Sequence, residues 1–280
     1  MRKIIWYISR LNLGALVKFL YGFKNRNEIL QGKSIFQSEN SIGGVELQCK
    51  GALKIEGVNF EKYADDILGE LDWESPAKGN YTDKGFWKLV PSSFEENGVL
   101  PSKSALVRFA LSRHVLIPVM DYFKCAPLLI DVTVTESKFN NRELSYSQLW
   151  HLDYDDPNVV KVFLYLNDVL KIENGPFTFV SKNRSILPRL ALYSHISDKV
   201  FYILSPKDKV QSFYGAKGFS FACVTSKCFH MGSRVACGET RLMLTATFVK
   251  PPRIFPTSRN RFSNQGGLNA LESFVLGLRK

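Results

Sequence analysis

At 280 residues, 45% hydrophobic and 22% charged, the chain can bury one large core, and its composition excludes both a disordered polymer and a polytopic membrane protein. A formal net charge of +11 favours anionic partners, yet no helix-turn-helix, zinc-finger or RNA-binding signature accompanies it, so nucleic acid is not an expected partner. Five cysteines, an odd number without a CxxC pair, suit reduced thiols and a cytoplasmic setting.

The first 34 residues set Arg2, Lys3, Arg10, Lys18, Lys24, Arg26 and Lys33 against the single acid Glu28. Arg10 and Lys18 interrupt the apolar run from Ile4 to Leu20, so this is a poor spanning helix, and no small-residue cleavage site follows it. The expectation is a basic amphipathic segment over residues 1–46. It either packs on the domain or, through residues 1–33, sits peripherally at the inner face of a membrane. A single domain is expected over 47–250, with a basic extension over 251–280 packing on it.

In "LQCKGALKIEGVNFEKYADDILGELD" (47–72) a strand, a turn at Gly57 and a helix are predicted, with Phe60, Tyr63, Ala64, Ile67 and Leu71 at helical spacing. Residues 73–103 read as loop. One helix is predicted over 104–123, kinked or ended by Pro118. Residues 126–139 turn into a strand of alternating β-branched residues. From there to 250, "YSQLWHLD", "VVKVFLYLND", "GPFTFVS", "GFSFACVT" and "RLMLTATFV" read as short strands bounded by turns, interrupted at 181–209. A basic extended tail at 251–262 and a short helix at 268–278 complete the chain.

"SQLWHLDYDD" (147–156) holds the first chemical signal. Residues i and i+2 of a strand point the same way, so His151 and Asp153 project together, close enough to chelate one ion. Downstream, His230 follows the strand "GFSFACVTSKCFH", and Arg241 opens "RLMLTATFV" eleven residues later. Two histidines and one carboxylate are the facial set of non-haem iron oxygenases. An arginine entering an apolar strand suits a two-pronged grip on a carboxylate. Cys223, Cys228 and Cys237 lie near His230, but their spacing does not match zinc knuckles, and they read as small core residues.

The stretches "WHLDYDDPNVVKVFLYLNDV", "NGPFTFVSKNRS" and "HMGSRVACGETRLMLTATF" together resemble the phytanoyl-CoA dioxygenase-like family of iron(II)/2-oxoglutarate dioxygenases. "GALKIEGVNFEKYADDIL" is similar to the strand and helix that open that family's domain. The resemblance covers roughly residues 50–250. It implies a double-stranded β-helix, a mainly β, jelly-roll core with flanking helices, consistent with the strand pattern. It also implies Fe(II) held by His151, Asp153 and His230, with the 2-oxoglutarate C5 carboxylate on Arg241 and Ser233 or Thr245 as hydroxyl partners. Thr245 lies an even number of residues from Arg241, so both face inward on a regular strand. Many 2-oxoglutarate enzymes carry a serine two residues after the arginine; here it is Met243. The activity implied consumes O2 and 2-oxoglutarate, releases succinate and CO2, and hydroxylates rather than halogenates, because Asp153 fills the ligand position a halide would need.

The remaining candidates have ordinary readings. His114 and His195 read as surface or helix-cap residues, Asp155 and Asp156 as a solvated turn, and Asn174, Gly175 and Pro176 as a connecting turn that borders the site in the family. Lys161 faces either inward, towards an anion, or outward. The expected substrate is small or lipid-linked and anionic, such as the acidic sugar of a lipopolysaccharide, or else an acyl chain. The competing readings are a metal-binding protein of the same fold without turnover and a zinc-dependent hydrolase on the same ligands. The second lacks a glutamate beside either histidine as general base. A nucleotide-sugar transferase using "DYDD" leaves His230 and Arg241 unexplained.

Overall fold

The computed structural model describes residues 14–36, 42–56, 60–74, 85–153, 156–185, 195–232, 234–253 and 261–278. Three helices come first: α1 (Gly14–Lys24), α2 (Arg26–Ile35) and α3 (Ile42–Cys49). Strand β1 (Ala52–Ile55) and helix α4 (Phe60–Glu70) follow, then β2 (Trp87–Val90), β3 (Val99–Pro101), α5 (Ala105–Leu111), α6 (Arg113–Phe123) and β4 (Leu128–Lys138). The rest comprises β5 (Trp150–His151), β6 (Val159–Tyr165), β7 (Phe177–Val180), β8 (His195–Ile196), α7 (Asp198–Leu204), β9 (Val210–Phe213), β10 (Ser220–Cys223), β11 (His230–Met231), β12 (Thr240–Val249), β13 (Arg261–Ser263) and α8 (Ala270–Val275).

Two antiparallel sheets face each other, a larger one in the order β1-β10-β6-β12-β4-β2 and a smaller one in the order β8-β5-β11-β7-β9. The alternation of side chains on the larger sheet sorts residues into two environments. Val160, Val162, Leu164, Val132, Val134, Leu244, Ala246 and Phe248 point outward and join Phe60, Ala64, Ile67, Phe109, Val115 and Val119 of helices α4 to α6 in the main core. Phe163, Tyr165, Phe221 and Met243 point inward to meet Phe177 and Phe179 of the smaller sheet. The larger sheet therefore has apolar residues on both faces, which is why its strands read as nearly continuous apolar runs.

Several sequence expectations are corrected. The helix over 104–123 is two helices. The chain breaks at Ser112, whose extended backbone (φ −60°, ψ 145°) caps α6, and Pro118 lies inside α6 rather than ending it. The backbone hydrogen bond lost to proline is offset by burial of Val115, Leu116, Val119, Met120 and Phe123 along that helix. Within 73–103, read as loop, the edge strand β2 forms, as does β3, which pairs in parallel with β13; each is too short to show alternation. Strand β9 was also unread, its residues being half-exposed at a sheet edge. "YSQLWHLD" is mostly a turn of 3-10 helix at Tyr146–Gln148, and only Trp150–His151 are strand. The turn at Gly57 lies outside the described residues, as does the tail over 254–260. Cys223 and Cys228 are buried as expected, whereas Cys237, read as a core residue, is exposed; Cys125 is buried and Cys49 exposed.

Candidate metal centre

Strand pairing builds the centre. Chain-distant β5 and β11 are antiparallel neighbours, and their register places His230 directly opposite His151. Asp153 lies just past the end of β5, where its amide donates to the Thr225 carbonyl at 3.0 Å. The carboxylate thus reaches the histidines from beyond the end of the strand, not from within the regular strand that the i, i+2 argument assumed.

Among the described residues, His151, Asp153 and His230 are the group of metal-ligating side chains that converges, with ligand atoms all within 4.8 Å of one another. Two ligands about 2.1 Å from one ion stand at most about 4.2 Å apart. His151 Nε2 to Asp153 Oδ1 is 4.0 Å, and His230 Nε2 to Asp153 Oδ2 is 3.8 Å, both inside that limit. The Nδ1 atoms are already engaged, at 2.8 Å from the Leu149 carbonyl for His151 and 3.0 Å from the Cys228 carbonyl for His230. A carbonyl only accepts, so each Nδ1 carries the proton and each Nε2 presents its lone pair. The donor set therefore fits a divalent ion such as iron or zinc.

Electrostatics agree with that assignment. Burial, and then the neighbouring His230, lower the pKa of His151 to about 3, and burial lowers that of His230. Both rings are neutral ligands at neutral pH. Burial alone would raise the Asp153 carboxyl, but Lys161 and the two histidines outweigh it and hold it below the ordinary range. Lys161 faces inward, its Nζ 2.8 Å from Asp153 Oδ2. The Phe177 ring stacks on His230 at 5.2 Å, and Trp150, the neighbour of His151, is clamped behind the strand. Trp150 stacks on Phe201 at 4.0 Å and donates from Nε1 to Asp198 at 2.9 Å, while Arg234 grips the same carboxylate through both terminal nitrogens at 2.7 and 2.8 Å.

The three side chains open into a cavity of about 490 Å³, within the range of small-molecule sites. Arg241, Met243, Thr245 and Thr247 form one inward row along β12 and all line it. Across the sheet they pair with Ser137, Thr135, Thr133 and Asp131 of β4 respectively. On the other side Thr245 faces Phe163 and Thr247 faces Lys161. Arg241 is 1% exposed; it donates to the Gly175 carbonyl and, at 3.4 Å, to Ser137 Oγ. Gly232 leaves room beside the guanidinium, since a Cβ there would stand 3.3 Å from Nη1.

The structure thus brings His151, Asp153, His230, Arg241 and Thr245 to one cavity; Ser233 lies outside the described residues. One ordinary reading is corrected and two are sharpened. His195 is exposed, as read, yet it pairs with His151 across β8 and β5 and stacks on its ring at 5.4 Å. Asp156 is 2% exposed and bonded to Lys18, not solvated. Lys161 resolves to the inward option. Sequence reasoning missed Asp131, Thr133, Thr135 and Ser137. Their pattern is visible in "DVTVTES", where polar residues alternate with valines, but it does not by itself tell an inner row from a solvated one.

Comparison with solved structures fits this architecture. The non-haem α-ketoglutarate-dependent epimerase SnoN from nogalamycin biosynthesis matches at 15% identity and TM-score 0.54, over 74% of this chain and 79% of that one. EctD from S. alaskensis, solved with 2-oxoglutarate and 5-hydroxyectoine, matches at 10% identity and TM-score 0.53, over 80% of each chain. The chain has the double-stranded β-helix fold. SnoN in complex with Fe3+, α-ketoglutarate and nogalamycin RO gives the same match of fold, at 15% identity and TM-score 0.52 over 74% of this chain and 82% of that one. No protein-family model matches the sequence, and no curated protein sequence matches it.

Proposed function

We propose that this chain is an iron(II)/2-oxoglutarate-dependent dioxygenase of the phytanoyl-CoA dioxygenase-like kind, hydroxylating a small or lipid-linked anionic substrate. The observation that carries the reading is the sharing of one cavity by a neutral-histidine, single-carboxylate cluster and a buried arginine. A zinc hydrolase needs the first and has no use for the second. His151, Asp153 and His230 would hold the metal, and Arg241 the distal carboxylate of the co-substrate, with Thr245 beside it. The solved structures of like fold that contain α-ketoglutarate or 2-oxoglutarate support the same assignment.

Bound iron and 2-oxoglutarate would supply, with O2, the oxidant that converts a substrate C–H to C–OH as the co-substrate leaves as succinate and CO2. The chain's own residues do the rest. The Leu149 and Cys228 carbonyls fix the tautomers of the two histidines, and the Lys161 ammonium holds the Asp153 carboxylate in orientation. Phe163 and Phe177 keep the wall beside the metal apolar. With Arg241 at one end of the inward row, the substrate is left the other end, where Thr133 and Thr247 offer hydroxyls and Asp131 and the Asp153-paired Lys161 offer charges of both signs to a hydroxyl-bearing group.

The test is succinate release from 2-oxoglutarate with iron(II) and candidate substrates, together with the mass of the product. A product heavier by one oxygen, lost in His151→Ala, is the expected result. An unchanged mass with inverted stereochemistry would make the chain an epimerase. No succinate from folded protein under any condition would return it to the non-turnover or hydrolase reading.

A further inference from the structure

Helix α1 carries an arrangement that the metal centre does not use. Lys18 is 8% exposed and its ammonium is pinned inside the protein, donating to Asp156 Oδ1 at 2.5 Å and to the Lys250 carbonyl at 2.7 Å. On the same helix Phe19 is 62% exposed, Leu20 59% and Phe23 69%. At 3.6 residues per turn these three cluster on the side opposite Lys18. The ion pair therefore fixes the rotation of the helix, with its charge turned inward and its apolar face turned out. Phe19 and Phe23 touch edge to face at 5.0 Å, forming one joined aromatic surface. Scattered apolar residues on a surface are ordinary, but an apolar face locked outward by a buried charge is not.

We propose that this face of α1 is a docking surface for an anionic lipid bilayer. Charge selects the occupant. Lys24 and Arg26 are exposed beside the face, and apart from the buried Lys18 the first 34 residues hold six basic residues against one acid. That combination of aromatic wedge and basic flank seats a helix in the headgroup region, and would be ill-suited to self-association, since two copies would bring like charges together. Among the described residues no helix is long and apolar enough to cross a membrane.

Position adds a reason for the docking. Asp156, which anchors Lys18, lies three residues beyond Asp153, and Lys250 lies three beyond Thr247, which lines the cavity at the end left for substrate. Ile130 lines that cavity and also a second one of about 750 Å³ walled by Gln31 and Ile35 of α2. The docking helix is therefore braced on Asp156 and Lys250, just past the cavity-lining residues Asp153 and Thr247. The docking itself does not depend on the dioxygenase reading; the delivery of a lipid-linked substrate does.

The test is sedimentation of the full chain with phosphatidylglycerol vesicles and with phosphatidylcholine vesicles, beside the double variant Phe19→Ser/Phe23→Ser. Binding to phosphatidylglycerol that falls at least about tenfold in the variant, and on phosphatidylcholine, is expected. The iron(II) and 2-oxoglutarate titration of the variant should match wild type, which separates this surface from the metal centre. Failure of the intact protein to sediment with phosphatidylglycerol, or equal binding by the variant, would overturn the proposal. So would light scattering that shows a dimer which the double substitution dissolves, since a second copy would then own the face.

Discussion

Substitution Lys18→Met tests whether helix α1 is locked to the domain as the buried ion pair requires. Asp156 is 2% exposed and accepts from Lys18 at 2.5 Å and from the Asn158 amide at 2.9 Å. Methionine fills similar volume but leaves the carboxylate without its cation in a site water barely reaches. Breaking a buried pair from one side costs about 3–5 kcal/mol, a large part of the roughly 5–15 kcal/mol that holds a domain folded. At about 2–4 °C per kcal/mol for a chain of this size, melting should fall by roughly 6–20 °C. Adding Asp156→Asn removes the stranded charge while keeping an oxygen for the Asn158 amide, so the double variant should recover at least half of the loss. Urea unfolding of the four proteins gives the coupling directly. A single variant within about 1 kcal/mol of wild type, or a double variant no better than the single, would show that the pair does not hold the helix.

Four further outcomes follow from the geometry. Because burial holds His151 near pKa 3 and lowers His230, metal affinity should stay within about tenfold between pH 7.5 and 5.5; two ordinary imidazoles, each about nine-tenths protonated at pH 5.5, would lose about a hundredfold. The same depressed value means that His151 contributes stability above about pH 6.5 and loses it as pH falls towards 3, so acid unfolding of the metal-free protein should be shallower in His151→Gln. Gly175→Ala forces a side chain onto φ +67° with its Cβ 2.8 Å from Val235 and 3.0 Å from the Arg234 backbone; a loss of at least about 2 kcal/mol in denaturant is expected, with weaker 2-oxoglutarate binding because the Gly175 carbonyl holds Arg241. Asp198→Asn should cost at most about 1 kcal/mol, since the pair with Arg234 is screened, and the Arg234 hydrogen bond that lowers the Asp198 pKa gives a contribution present above about pH 4 and lost below it.

Much of the fold is legible in the sequence wherever one residue pattern answers one environment. The run "VVKVFLYL" reads as a strand because most of both its faces is buried, and "RLMLTATFV" because its apolar outward residues alternate with an inward row. Phe60, Ala64 and Ile67 read as a helix face because they bury one. What stayed hidden depends on partners far along the chain. Strand β2 exists because β4 offers it an edge, and its own residues hold no period to find. Asp156 reads as a solvated turn because nothing near it in sequence announces that Lys18, 138 positions earlier, will cover it.

The candidate site shows the same division. His151, Asp153, His230 and Arg241 could be named because motif spacing carries them, and the pairing of β5 with β11 brings the histidines together as that spacing requires. The polar row of Asp131, Thr133, Thr135 and Ser137 went unread because alternation alone does not say which side of a sheet is the inside of a barrel. His195 reaches the centre through a strand of two residues, too short for any periodicity to register.

The central claim meets its most direct test in an anaerobic titration of the purified protein, first with iron(II) and then with 2-oxoglutarate, followed by visible absorption. A charge-transfer band that forms only with both, vanishes in His151→Ala and weakens several-fold in Arg241→Gln is the predicted result. No band from folded, iron-loaded wild type, or a band indifferent to Arg241, would contradict the account.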